Sequence, residues 1–160
     1  MKMEIAEDQA SVTIEGTRFL WPNFSGNPDK FNQTPKPNAS IEIDPLFVPK
    51  LEEMGFRIRS VPPKEEFEDD REVFVLGVKA SYGGFADPKV VLLIADPEQP
   101  PTEWARRILG PKEIGEIDRL AVAYADVTFR PYHYRNFVTA YVDSMYVVIN
   151  PDRLALKYGI

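Results

Sequence analysis

Apolar and polar positions along this chain recur mainly with a period of two, the repeat of a strand that buries one face. In SVTIEGTRFLW, residues 11–21, Val12 and Ile14 alternate with polar neighbours, and Gly16 marks a bulge or sharp bend in one long curved strand. ASIEI (39–43), FRIRSV (56–61) and EVFVLGVKASY (72–82) predict further strands. VVLLIA (90–95) is apolar throughout, as a strand buried on both faces requires. Two long strands follow, DRLAVAYADVTFR (118–130) and NFVTAYVDSMYVVI (136–149), joined by PYHYR (131–135).

Alternation orients this last pair. With Val127 and Phe129 turned inward, Thr128 and Arg130 point to the opposite face, together with Tyr132. Ala140 and Val142 suit the inside and Thr139 and Tyr141 the outside, while a bulge near Asp143 or Ser144 re-phases Met145, Val147 and Ile149 to the core.

Helical signals are few. Asp44 as N-cap, Pro45 in the first turn and Gly55 as stop predict a short helix in DPLFVPKLEEMG, limited by Pro49. TEWARRILG (102–110), after Pro100 and Pro101, predicts a second, and the tail NPDRLALKYGI a short helix or strap. Residues 22–38, rich in Pro, Asn and Gly, form a long loop of the kind that is functional or mobile. The pattern predicts a flexible N-terminus over 1–10 and one domain over 11–160: a mainly β, OB-fold-like small antiparallel barrel with two or three short helices.

Composition narrows the chemistry. The chain has 160 residues, no cysteine and a single histidine, His133, so thiolate zinc sites, disulfides and histidine-rich metal centres are excluded. No apolar run approaches membrane-spanning length and the N-terminus lacks a signal-peptide core, so a cytoplasmic protein is expected. The net charge of −6 opposes a polyanion partner, but EEFEDDRE (65–72) holds six acids and one arginine, which leaves the remainder nearly neutral. That acidic run has no metal-loop spacing. It reads as a solvated loop that repels misdirected phosphates or offers a handle to a basic partner. Glycine-rich phosphate loops, dinucleotide fingerprints and serine-nucleophile motifs are absent, so neither enzymatic activity nor a cofactor is expected.

What stands out is an interleaving of rings and cations. Arg18 and Trp21 precede Phe24, Lys30 and Phe31 in the first loop; Lys79 and Tyr82 lie near Phe85; Arg130, Tyr132, Tyr134 and Arg135 surround the hairpin, with Tyr141 on the returning strand. Exposed rings stack unpaired bases at about 1–3 kcal/mol each, and neighbouring cations follow the phosphates. Phe19 and Phe129 read as core, whereas Phe24, Phe31 and Tyr134 sit among polar residues where burial is harder to arrange. His133, between two tyrosines, suits stacking or hydrogen bonding better than a catalytic triad.

Several segments taken in order carry a resemblance: NFSG followed by FN in the first loop, VPP with the acidic stretch before VFVLGVKASY, DPKVVLLIA, EIDRLAVAYADVTFRPYHY and AYVDSMYVVI. From about Thr17 to Tyr158 the chain resembles the single-stranded-DNA-binding proteins of tailed bacteriophages. The resemblance implies an OB-fold that coats single-stranded DNA in phage replication and recombination without sequence preference. It covers Asn23, Phe24, Ser25, Gly26, Phe31 and Asn32, and Arg130, Pro131 and Tyr132. Tyr134 stands where that family more often has tryptophan, the hairpin is shorter, and Asp143 occupies a place where a cation is expected. The acidic C-terminal tail of bacterial counterparts is also missing, which leaves the internal acidic loop or LALKYGI to recruit replication or recombination proteins. Alternatives of other classes are a β-barrel adaptor that uses its rings on protein, with self-association, and a magnesium-dependent nuclease built on the acidic loop.

Overall fold

The computed structural model describes residues 1–62, 72–84 and 86–151. In chain order the elements are β1 (Lys2–Ile5), β2 (Val12–Thr17), β3 (Phe19–Asn23), β4 (Asn38–Ile43), a 3₁₀ turn (Pro45–Phe47), α1 (Val48–Glu53), β5 (Arg59–Val61), β6 (Val73–Lys79) and β7 (Lys89–Ile94). After them come a 3₁₀ turn (Pro101–Glu103), β8 (Ala105–Leu109), a 3₁₀ helix (Ile114–Arg119), β9 (Val122–Tyr134) and β10 (Phe137–Ile149). The protein is mainly β, with one α-helix among the described residues.

All ten strands belong to one sheet, whose main path runs β1-β2-β9-β10-β6-β4-β3. The spine is β10. It pairs antiparallel with β9 along its whole length, parallel with β6 at Ala140 and Tyr141, and parallel with β7 from Ser144 to Ile149. A purely antiparallel sheet is therefore not what forms. The change of partner falls at a register shift between Val142 and Ser144, so the bulge at Asp143 both re-phases the inward residues and lets one strand serve two neighbours. Val127, Phe129, Ala140, Val142, Met145 and Val147 are buried as alternation requires. No ladder closes the described sheet into a barrel. Its main path ends at β1 and β3, and β2, the neighbour of β1, is separated from β3 in sequence only by Arg18.

Gly16 does interrupt the first long strand. The register with β9 shifts between Ile14 and Thr17, and Gly16 adopts φ +74, a left-handed conformation that glycine enters without strain. One half of the predicted curved strand therefore pairs with β9 and the other with β4. The first ten residues, expected to be a flexible extension, supply β1, which adds to β2 from Lys2↔Glu15 to Ile5↔Val12.

The core lies between the inward face of this curved sheet and α1. Leu51 of α1 is buried, and Phe56 meets Phe129 edge to face at 5.3 Å. Each such side chain contributes about 1.5–3 kcal/mol by leaving water. Asp44 caps the 3₁₀ turn, its side chain accepting from Leu46 N at 2.9 Å, whereas α1 begins only at Val48, later than the Asp44 cap predicted; Gly55 stops the segment as expected, at φ +98 and packed on Val138.

Two expectations about secondary structure are corrected. TEWARRILG is not a helix; after the 3₁₀ turn it runs as β8 beside β7. The edge of β7 needs a partner, and this pairing overrides a weak helical propensity. Trp104 fixes the switch, its Nε1 donating to the carbonyls of Asp96 and Gln99 at 3.0 and 3.1 Å. PYHYR, likewise, is not a connecting loop: β9 runs to Tyr134, and only Arg135 and Asn136 turn. Arg135 takes the strained φ of +54 that so short a turn demands. The acidic residues 65–70 and the LALKYGI tail lie outside the described residues; Glu72 accepts from the Ser60 hydroxyl.

Candidate nucleic-acid interface

Beyond Phe129, the last residue paired with Val12, β9 loses β2 as a neighbour. From Arg130 onward β9 is an edge strand, and the chain from Tyr132 to Thr139 is a two-stranded arm; Pro131, which has no N–H, sits where an edge tolerates it. On the outward face of this arm the register sets Arg130 against Tyr141, Tyr132 against Thr139 and Tyr134 against Phe137. The row continues across the sheet. Tyr141 is level with Lys79 on β6, and Lys79 with Asn38 on β4.

An open groove of about 450 Å³ lies against this row, lined among others by Lys36, Ser81, Arg130, Tyr132 and Tyr141. Tyr132 and Tyr141 stand edge to face at 5.6 Å, leaving Tyr132 52% exposed. The Lys36 ammonium donates to the Tyr141 hydroxyl at 3.2 Å and sits 5.0 Å from its ring centre. At the tip of the arm Tyr134 is 56% exposed, with the Arg135 guanidinium 5.4 Å from its ring centre. Ring faces and cations at this spacing have the chemistry to stack unpaired bases and to counter the charge of phosphates between them.

Arg130 is not a bare cation. Its Nε lies 2.9 Å from Asp143 Oδ1, and the bulge that sets the sheet's phase is what places this carboxylate beside it. Arg18 is similarly held by Glu42 at 2.9 Å.

The remaining predicted residues separate into two groups. Trp21, Lys30 and Phe31 are on the surface but line neither this groove nor a second one against β4, β6 and β10. Trp21 is 54% exposed and holds φ +49, an uncommon conformation for so bulky a residue, at a register shift between Leu20 and Asn23. Phe31 is 87% exposed, with the Lys30 ammonium 5.1 Å from its ring centre. The loop presenting Phe31 is braced by Asp29, whose Oδ1 accepts from the amides of Phe31 and Asn32, both at 2.7 Å.

Phe24 and Tyr82 are corrections. Phe24, expected at the surface, is only 1% exposed and meets Phe19 edge to face at 5.2 Å. The polar neighbours that argued for exposure instead cap its backbone: Asp118 accepts from Phe24 N at 2.8 Å and from Ser25 N at 2.9 Å, pinning the loop over the ring. Tyr82 packs on the core, and its hydroxyl is buried with no partner among the described residues. Burial, then the carboxylates of Asp87 and Glu113, push that hydroxyl's pKa up.

Sequence reasoning passed over Lys36, which lies between two prolines with no ring beside it, and Phe137, whose partnership with Tyr134 emerges only once the two-residue turn fixes the register. It also passed over Arg57 and Arg59 of FRIRSV, whose alternation announced a strand but not which face would be used.

An open mainly β sheet with a ring-and-cation groove across its exposed strands is the arrangement of a single-stranded nucleic-acid-binding module. The chain belongs to the phage ssDNA-binding domain family, whose model matches residues 3–160. In structure it is similar to the single-stranded DNA-binding protein from bacteriophage Enc34, with a TM-score of 0.55 at 12% identity over 95% of this chain and 92% of that one. It is also similar to the same protein in complex with ssDNA, with a TM-score of 0.52 at 12% identity over 90% and 89% of the two chains. No curated protein sequence matches the chain.

Proposed function

We propose that this member of the ssDNA-binding family coats single-stranded DNA in the host cytoplasm during phage replication and recombination, as a non-catalytic protein without sequence preference. The observation that carries this reading is the level row Asn38, Lys79, Tyr141 and Arg130 beside the groove of Tyr132 and Lys36. Binding only the unpaired strand shifts local duplex equilibria toward the open form by mass action. Trp21, Phe31, Tyr132, Tyr134 and Tyr141 are the stacking residues, and Arg18, Lys30, Lys79, Arg130 and Arg135 the phosphate contacts. The Enc34 protein in the ssDNA complex shares the fold, which supports the assignment.

We read the sheet as an OB-like barrel. Support comes from the continuity of β2 and β3 and from Glu42 N of β4, which donates to Arg18 O at 3.1 Å where β2 passes into β3. Self-association along the strand and recruitment of replication proteins by the acidic segment extend the same reading.

Fluorescence titration with oligothymidylate tests it. Affinity is expected to fall steeply with salt and to vary little with base composition. Of the two tryptophans, Trp104 is tied to backbone carbonyls and Trp21 is exposed, so quenching should survive Trp104→Phe and vanish with Trp21→Phe. Weak binding that is flat with salt would overturn the proposal.

A further inference from the structure

A second groove, of about 290 Å³, lies beside the first on the outward face of β4, β6 and β10. Arg57, Arg59, Lys79, Ser40, Gly77 and Thr139 are among the residues that line it. The two grooves adjoin, because Thr139 in this one is the direct register partner of Tyr132 in the other. We propose that this second groove is a phosphate track: the sugar-phosphate backbone of a bound single strand leaves the tyrosine groove, crosses over Gly77 and is held by Arg57, Arg59 and Lys79. The inference rests on the single-stranded-DNA reading and adds a subsite to it.

Gly77 is the first observation behind it. Glycine inside a strand weakens it by roughly 0.5–1 kcal/mol relative to alanine, and marks places where another backbone comes close. A Cβ built on Gly77 would meet no atom within 4 Å, so nothing in the described fold fills the space above it. Its partner on β4, Ser40, is also small and accepts from Arg59 Nη2 at 3.4 Å, which holds that guanidinium over the groove.

The lining chemistry is the second observation. Among the described residues no aromatic side chain lines this groove, whereas tyrosines line its neighbour. Cations without rings suit phosphate rather than bases, and the planar fork of arginine matches phosphate oxygens two at a time. Glu42, the nearest carboxylate along β4 on this face, is ion-paired to Arg18. A strand across both grooves would place bases on the tyrosines and phosphates on the arginines.

The test compares the wild-type chain, Gly77→Ile and Arg57→Ala/Arg59→Ala on oligothymidylates of about 4 and about 16 nucleotides, the limits of site size for one fold of this kind. The short oligonucleotide occupies the tyrosine groove in all three proteins with equal affinity. On the long one, the arginine variant lowers the slope of log affinity against log salt by about 1.4, about 0.7 for each phosphate contact removed. Gly77→Ile loses the gain in affinity that the wild type shows from short to long. Its melting temperature stays at or above that of the wild type, since the new side chain enters open space. Should Gly77→Ile fail to fold, the arginine variant decides alone. If the wild type binds the long oligonucleotide and both variants match it in affinity and slope, this inference is overturned; a wild type that binds neither length overturns the underlying reading with it.

Discussion

Asp143 lies against Arg130, the proposed phosphate contact, so neutralising it should strengthen binding while costing the fold little. Asp143→Asn keeps the side chain's shape and removes its charge, 2.9 Å from Arg130 Nε. The two side chains are 45% and 34% exposed, so the lost ion pair is screened by water and its contribution to stability is at most about 0.2–1 kcal/mol. Two gains oppose that loss on DNA. A freed Arg130 adds about one phosphate contact, steepening the salt slope by about 0.7. Removing the carboxylate also relieves its repulsion of a phosphate held by Arg130, on the order of 0.5–1 kcal/mol at a few ångströms in water. Together these amount to about 1–2 kcal/mol, roughly a 5- to 30-fold gain in affinity at low salt. Oligothymidylate titrations over a salt series measure it, and repeating Asp143→Asn in an Arg130→Gln background isolates the coupling. Unchanged or weaker binding, or a gain of equal size in both backgrounds, would refute the reasoning.

Trp21→Gly should relieve the left-handed backbone at φ +49, leaving stability unchanged or raised by up to about 1 kcal/mol while DNA affinity falls; a melt and a titration that move in the same direction would contradict it. Tyr82→Phe removes a buried hydroxyl without a partner, so chemical denaturation should show a gain of about 1 kcal/mol with DNA binding unchanged. Because the folded Tyr82 keeps its proton to higher pH than the unfolded chain does, wild-type stability is fully present below the ordinary tyrosine pKa and declines as pH rises through it; Tyr82→Phe should flatten that alkaline decline. Asp118→Ala removes the acceptor shared by Phe24 N and Ser25 N, and should cost about 2 kcal/mol in denaturant unfolding with faster amide exchange at those two positions.

The sequence disclosed most where a local rule has no competitor. The facing of β9 and β10 and the bulge at Asp143 follow from the period of two alone, because a slip by one residue would expose Phe129 and Met145. Asp44 and Gly55 bound the helical segment that runs from the 3₁₀ turn through α1 for reasons contained within it. What stayed hidden depends on distant partners. TEWARRILG became a strand because β7 lay beside it, and Phe24 went inside because Asp118, far along the chain, covers its backbone. The candidate interface was half legible for the same reason. Alternation exposed Arg130, Tyr132 and Tyr141, but placing Lys79 level with Tyr141 needed a parallel pairing that no local pattern announces.

The pairing of β2 with β9 has a temporal meaning as well. Val12 to Ile14 must wait for Val127 to Phe129 before their ladder can form, and β6 and β7 must wait for β10. Contacts of such long sequence separation are slow to establish and leave early strands unpaired during synthesis. The spine and the hairpin that carries the tyrosine groove are among the last described parts to leave the ribosome. A nascent chain thus can complete neither its sheet nor the groove beside Tyr132 and Tyr141 until β10 has emerged, and an incomplete one lacks the surface proposed to hold the strand.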